Sequence, residues 1–278
     1  MSDPVLLGPG EGEEIGRLAI KAGYPEVVVT ESRYEAGAHG PDLHIHRHHA
    51  DAFWLLDGQL SFQVGPDHRE VVLGAGSFVL VPPEVVHTFE NRGHDDARFL
   101  NFHAPGVGFD EYLRSGFKAP FDQHDPPADG GRPGSEVIVR APGEGERVAV
   151  GPTEGVIKIG GSDALGSLAV LETTVGPGFH GPVLHRHGEM LDSFYVLDGT
   201  LNLRLDDDNV EAPAGSYAVA PPGTAHTFSN AGDDPVRVLN VFAPGGFEQY
   251  LKELAAEGGP ADPARMAAIA SKYDFAAV

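Results

Sequence analysis

Hydrophobic positions in this chain come in short alternating runs. Phe53-Trp54-Leu55-Leu56-Asp57-Gly58 and Phe194-Tyr195-Val196-Leu197-Asp198-Gly199 are apolar runs that end in Asp-Gly, a tight-hairpin signal. Phe78-Val79-Leu80-Val81 and Tyr217-Ala218-Val219-Ala220 read as strands that stop at Pro-Pro, where the backbone loses its donors. Many short strands with even turn spacing predict an all-β sandwich or barrel. Helical patterning is confined to Phe109–Arg114, Phe247–Ala256 and a C-terminal segment running to about Lys272. Asp262-Pro263 supplies the last of these with an N-cap and a first-turn proline.

The pattern is duplicated. His39-Gly40-Pro41-Asp42-Leu43-His44-Ile45-His46 returns as His180-Gly181-Pro182-Val183-Leu184-His185-Arg186-His187. Asp51 and Asp192 differ by 141, as do Gly58 and Gly199. His87 and His226 differ by 139, as do Gly76 and Gly215, and Asn91 and Asn230. The two-residue loss falls where a hairpin loop shortens cheaply. Pro9–Glu13 matches Pro142–Glu146, so the repeat covers roughly 5–114 and 138–252. Between the halves, Phe117 to Glu136 is rich in Pro and Gly and reads as an irregular linker. The expected division is a first domain at 1–116, a linker at 117–136 and a second domain at 137–278.

Within a strand, residues i and i+2 face the same side, about 6.5 Å apart along the chain. His44 and His46 therefore share a face, as do His185 and His187. Asp51 and Asp192 each follow after a turn, and His87 and His226 come from a more distant strand. Three imidazoles and one carboxylate per half form two candidate metal sites: His44, His46, Asp51 and His87, and His185, His187, Asp192 and His226. The chain has no cysteine, so any metal is held by His, Asp or Glu, a donor set for Fe, Mn, Ni, Co or Zn. A net charge of -22 argues against nucleic acid and anionic membranes as partners. No long apolar run or leader-like segment is present, so a cytoplasmic protein is the default expectation.

Other residues carry bland and functional readings together. His39 and His180 suit either a partner of a ligand imidazole or a loop beside Gly-Pro. His48 and His49 lack histidine counterparts in the second half and read most simply as a solvated loop, with adventitious metal binding as the alternative. His103, opposite Phe242 in the repeat, is a weak candidate for general acid–base work and otherwise a partly buried polar residue. Phe53, Phe89, Phe194 and Phe228 are expected in the core, some lining a pocket.

These motifs resemble the cupins, and specifically the two-domain bicupins. His44-x-His46, four residues, Asp51, six residues and Gly58 follow the first cupin motif, repeated by His185, His187, Asp192 and Gly199. Gly215, Pro221, Gly223, His226 and Asn230 follow the second motif, as do Gly76, Pro82, His87 and Asn91, with Glu84 in the glycine slot. Two departures stand out. Gly37 and Gly178 lie one residue further from the first histidine than is usual. Both halves carry Asp where the family uses Glu, a reach shorter by about 1.5 Å.

The resemblance implies two tandem cupin jelly-roll β-barrels with short C-terminal helices and up to two divalent transition metals per chain. The chain resembles quercetin 2,3-dioxygenase-like cupins, which implies an oxygenase for a small hydrophobic or aromatic oxygenated substrate. Oxalate-type bicupins are disfavoured, because Pro41-Asp42-Leu43 and Pro182-Val183-Leu184 replace their arginine near the histidine pair. The alternatives are a cupin that binds metal or ligand without redox turnover, and an isomerase or cyclase using the metal as Lewis acid. The partner is expected to be a small molecule, and a homodimer is left open.

Overall fold

The computed structural model describes residues 3–257 and 262–278. Antiparallel strands dominate and divide the chain into two compact units: Gly12–Glu144, and the described residues of 1–11 and 145–278. Each unit is a cupin jelly roll of a seven-stranded sheet facing a smaller one. The smaller sheet has three strands in the first unit and five in the second. Among the described residues, no helix is long and apolar enough to cross a membrane.

In the first unit the strand Ala50–Asp57 pairs on one side with Ala97–Ala104 and on the other with Phe78–Val81. The second unit repeats this with Leu191–Asp198, Val236–Ala243 and Tyr217–Ala220. Phe53, Phe62, Phe89 and Phe99 pack the first interior, and Phe194, Leu201, Leu203 and Val238 the second. Phe53, Phe89 and Phe194 are thus core, while Phe228 packs from the edge and also lines a cavity. The Asp-Gly hairpins form as expected, with Gly58 and Gly199 in the left-handed region at φ 75° and 81°. A Cβ on Gly58 would meet the Asp96 carbonyl oxygen at 2.3 Å, so only glycine fits there.

Helix α1 spans Phe109–Arg114, α2 Glu248–Ala256 and α3 Pro263–Ala270. Asp262 caps α3 through its carboxylate, which accepts from the Ala264 N–H at 3.2 Å. Glu248 is buried at the start of α2 and accepts from the N–H groups of Gly161 at 2.9 Å and Gly246 at 2.8 Å. That anchor turns Phe247, Tyr250 and Leu254 inward.

The division differs from the expected domain boundaries in two ways. The strand Val5–Leu7 pairs with Tyr217–Ala220 in the second unit, and Ile138–Arg140 pairs with Phe78–Val81 in the first. The segment 117–136, expected as a linker, packs within the first unit, where His124 bridges Ile45 and Gly131 bridges Val85. Its proline and glycine content reflects turns around the barrel mouth.

Candidate metal centres

The strands bring each histidine trio to one point. The ligating nitrogens of His44, His46 and His87 lie within 4.8 Å of one another, as do those of His185, His187 and His226. All six side chains are buried. Backbone pairing sets the geometry: His44 faces His87 and His185 faces His226 across antiparallel bridges.

Each ring is oriented by a backbone carbonyl at Nδ1. His44 meets the Asp42 oxygen at 2.8 Å, His46 that of Asp122 at 2.6 Å, and His87 that of Val85 at 3.0 Å. His185 meets Val183 at 2.9 Å, His226 meets Thr224 at 3.0 Å, and His187 bonds to the Asp274 carbonyl. A carbonyl only accepts, so every Nδ1 donates, and in the neutral ring Nε2 keeps its lone pair. The Nε2 atoms of His46, His87, His187 and His226 are buried without a hydrogen-bond partner among the described residues. Buried acceptors converging in this way suit a cation, and this tautomer selection is typical of metal-ligating histidines.

The aspartates lie beside the trios. Asp51 Oδ2 lies 3.4 Å from His87 Nε2 and 3.7 Å from His46 Nε2, and Asp192 Oδ2 lies 3.3 Å from His226 Nε2. These approaches lack hydrogen-bond alignment, which leaves both partners available to a shared ion. Burial pushes His44 down to about 3 and His185 to about 4, each helped by the neighbouring imidazoles. His226 moves the other way: burial works to lower it, but Asp192 outweighs burial and raises it. Burial would raise Asp51, yet the His103, His46 and His87 edges hold it well below the carboxylate range. A neutral His44 and His185 and an ionised Asp51 are states in which those groups can bind a divalent metal.

Sequence reasoning missed two pairs of supporting residues. Asn240 Nδ2 donates to Asp192 Oδ1 at 2.6 Å and to the Ser193 carbonyl at 3.1 Å. Asn101 Nδ2 likewise donates to Asp51 Oδ1 and to the Ala52 carbonyl. Their constant offset of 139 was the available signal. The second pair is Asp122 and Asp274. The Asp274 carboxylate accepts from the N–H groups of Gly188 at 2.6 Å, Glu189 at 2.9 Å and Met190 at 2.9 Å. Asp122 accepts from Arg47 at 3.0 Å and His48 at 2.6 Å. Each therefore fixes the turn after a histidine pair while its carbonyl orients the second histidine. No shared motif marks them, because Phe121 precedes one and Phe275 follows the other.

The two sites diverge beside the ligands. His49 is buried, which corrects the solvated-loop expectation; His48 is exposed as expected. His49 Nδ1 lies 3.0 Å from Asp122 Oδ2, its Nε2 lies 2.9 Å from His103 Nδ1, and His103 Nε2 lies 2.9 Å from Asn101 Oδ1. Phe109 and Phe121 cover this pair, with ring centroids 3.8 Å from His103 and 5.3 Å from His49 respectively. At the same offsets the second unit carries Met190 and Phe242. His39 and His180 are exposed; His39 pairs with Glu90 at 2.9 Å, in keeping with the loop reading.

Beside the second trio lies a cavity of about 710 Å³. Phe179, Phe228, Phe242, Phe247, Tyr250 and Phe275 form its aromatic wall, and His185, Asp192 and Asn240 contribute polar atoms. Phe275 stacks on His185 at 4.5 Å and on Tyr250 at 5.4 Å, so the C-terminal segment joins the ligand set to α2.

The comparisons agree with this geometry. The chain is 23% identical to quercetin 2,3-dioxygenase of Bacillus subtilis (strain 168) over 295 residues, covering 90% of this chain and 86% of that one. Among solved structures it is similar to oxalate decarboxylase from Bacillus subtilis, with a TM-score of 0.54, 17% identity and coverage of 79% and 68%. It is also similar to protein Ylba from E. coli, with a TM-score of 0.59, 13% identity and coverage of 87% and 90%. The cupin domain family matches twice, at residues 30–103 and 171–242. Two copies of the family's domain, each carrying a buried histidine trio, show that this chain belongs to the cupins and is a bicupin.

Proposed function

We propose that this bicupin is a metal-dependent oxygenase of the quercetin dioxygenase type, acting on a small hydrophobic or aromatic substrate that carries oxygen. The aromatic cavity that reaches His185 and Asp192 carries this reading. His185, His187, His226 and Asp192 would hold a divalent cation, which would supply Lewis acidity towards an oxygen-bearing ligand and a centre for O₂ chemistry. The chain's own residues do the rest. The aromatic wall binds a ring system and excludes water, which strengthens electrostatic interactions at the polar end. Asn240 fixes Asp192, and the carbonyls of Val183, Thr224 and Asp274 fix the imidazoles. In the first unit the His49–His103 pair occupies the place of Met190 and Phe242, so that barrel suits metal retention better than an apolar ligand.

Oxygen consumption with 3-hydroxyflavone tests the reading, using protein loaded in turn with Fe(II), Mn(II), Co(II) and Ni(II). Oxygen uptake is expected with at least one metal, abolished by His226→Ala and retained by His87→Ala. No uptake with any metal overturns it. Conversion of the flavonol without oxygen points instead to Lewis-acid isomerisation or cyclisation, and binding without conversion to a ligand-holding role.

A further inference from the structure

Asn240 presents two faces. Its Nδ2 is spent on Asp192 Oδ1 and the Ser193 carbonyl, which fixes the orientation of the amide. Its Oδ1 makes no hydrogen bond among the described residues, although the side chain is more than nine-tenths buried and lines the aromatic cavity. In the first unit the matching oxygen has a ring nitrogen beside it: Asn101 Oδ1 lies 2.9 Å from His103 Nε2. In the second unit Phe242 stands at the position of His103 and offers no donor. The result is an uncapped carbonyl oxygen in an apolar chamber, next to the carboxylate of the ligand set.

We propose that Asn240 is a specificity-determining residue that accepts a hydrogen bond from a hydroxyl of the molecule in this cavity, while its nitrogen positions Asp192. The ligand class is therefore an aromatic carrying a free hydroxyl beside the metal end; an ether or a bare hydrocarbon leaves the oxygen unpaired. The inference rests on the cavity being the substrate site, as proposed above. Losing this hydrogen bond sets the size of the discrimination, about tenfold in affinity, or about 1.4 kcal/mol. The Nδ2 contacts predict a separate effect, because partners that orient metal ligands typically contribute about 10- to 100-fold in metal affinity.

The test uses full-length, metal-free protein under anaerobic conditions, so neither chelation nor turnover enters the measurement. Dissociation constants are measured for 2-naphthol, which donates a hydrogen bond, and 2-methoxynaphthalene, which cannot. The wild-type preference for 2-naphthol is expected to be about tenfold greater than in Asn240→Ala. Phe242→His places an imidazole where His103 stands in the first unit; by capping Oδ1 it should also reduce the preference, which keeps the proposal testable should Asn240→Ala fail to fold. Separately, Co(II) titration of Asn240→Ala should show one of two sites weakened by about 10- to 100-fold. Equal preference in the wild type and a folded variant overturns the hydroxyl contact, and unchanged Co(II) affinity overturns the positioning role. Failure of oxygen uptake alone would remove the oxygenase reading and leave this binding ratio standing.

Discussion

Asp274 is the most heavily used carboxylate beside the second trio, and its removal has a calculable cost. In Asp274→Ala, three backbone N–H groups lose their acceptor. Gly188 and Glu189 are exposed, so water replaces the carboxylate there and each loss is about 1 kcal/mol. Met190 is 4% exposed, so its N–H is stranded at a cost of about 2 kcal/mol. The sum is about 4 kcal/mol, or roughly 10 °C in the melting temperature of a unit this size. Asp274→Asn keeps one acceptor oxygen and should lose about half as much. The dependence on pH follows from the same bonds. Burial favours the neutral acid, but the three N–H groups outweigh it and lower the folded-state pKa. The contribution is therefore present above an unfolded value of about 4 and fades as pH falls through the folded one, so wild-type and variant curves should converge in acid. Calorimetry at several pH values, with amide exchange at residues 188–190, measures all of this. A shift below about 2 °C with unchanged amide protection would refute the assigned role.

Three further outcomes follow from the geometry. His226→Ala should lower bound metal from about two ions per chain to about one in elemental analysis, and loss of both ions or of neither contradicts independent sites. Glu84 occupies a glycine slot at φ 66°, so Glu84→Gly should raise the urea midpoint by the equivalent of about 1 kcal/mol; a lower midpoint contradicts backbone strain. Metal-free protein should lose stability as pH falls from 6.5 towards 4, because His185 is held to about 4 when folded and the unfolded chain binds the proton first. The 2.5-unit gap is worth about 3 kcal/mol, and urea melts of wild type and His185→Asn at pH 7 and 4.5 should show the variant's slope flattened.

The architecture was legible because strand alternation, Asp-Gly turns and the repeat are local signals that survive in one sequence. The clustering of the histidine trios was legible for the same reason: i, i+2 spacing fixes a face, and the repeat marks the same positions twice. Asp122 and Asp274 were not, because they act through loops that close on the barrel from far along the chain, at separations of 74 to 86 residues. His49 was misjudged because its neighbours Arg47 and His48 are exposed, and only the fold shows that the chain turns inward one residue later. The linker was misjudged because proline and glycine mark turns without saying whether those turns are packed. The aromatic cavity depended on Tyr250 and Leu254 sharing one face of α2 with Phe247 at its N-cap, and on Phe275 returning to the same cavity. The first is a sequence periodicity; the second is a tertiary event.

The exchange of Val5–Leu7 and Ile138–Arg140 means that neither half of the gene encodes a finished β-sandwich. Cutting between the repeats would strip each product of an outermost strand and bare a row of unpaired amides and carbonyls.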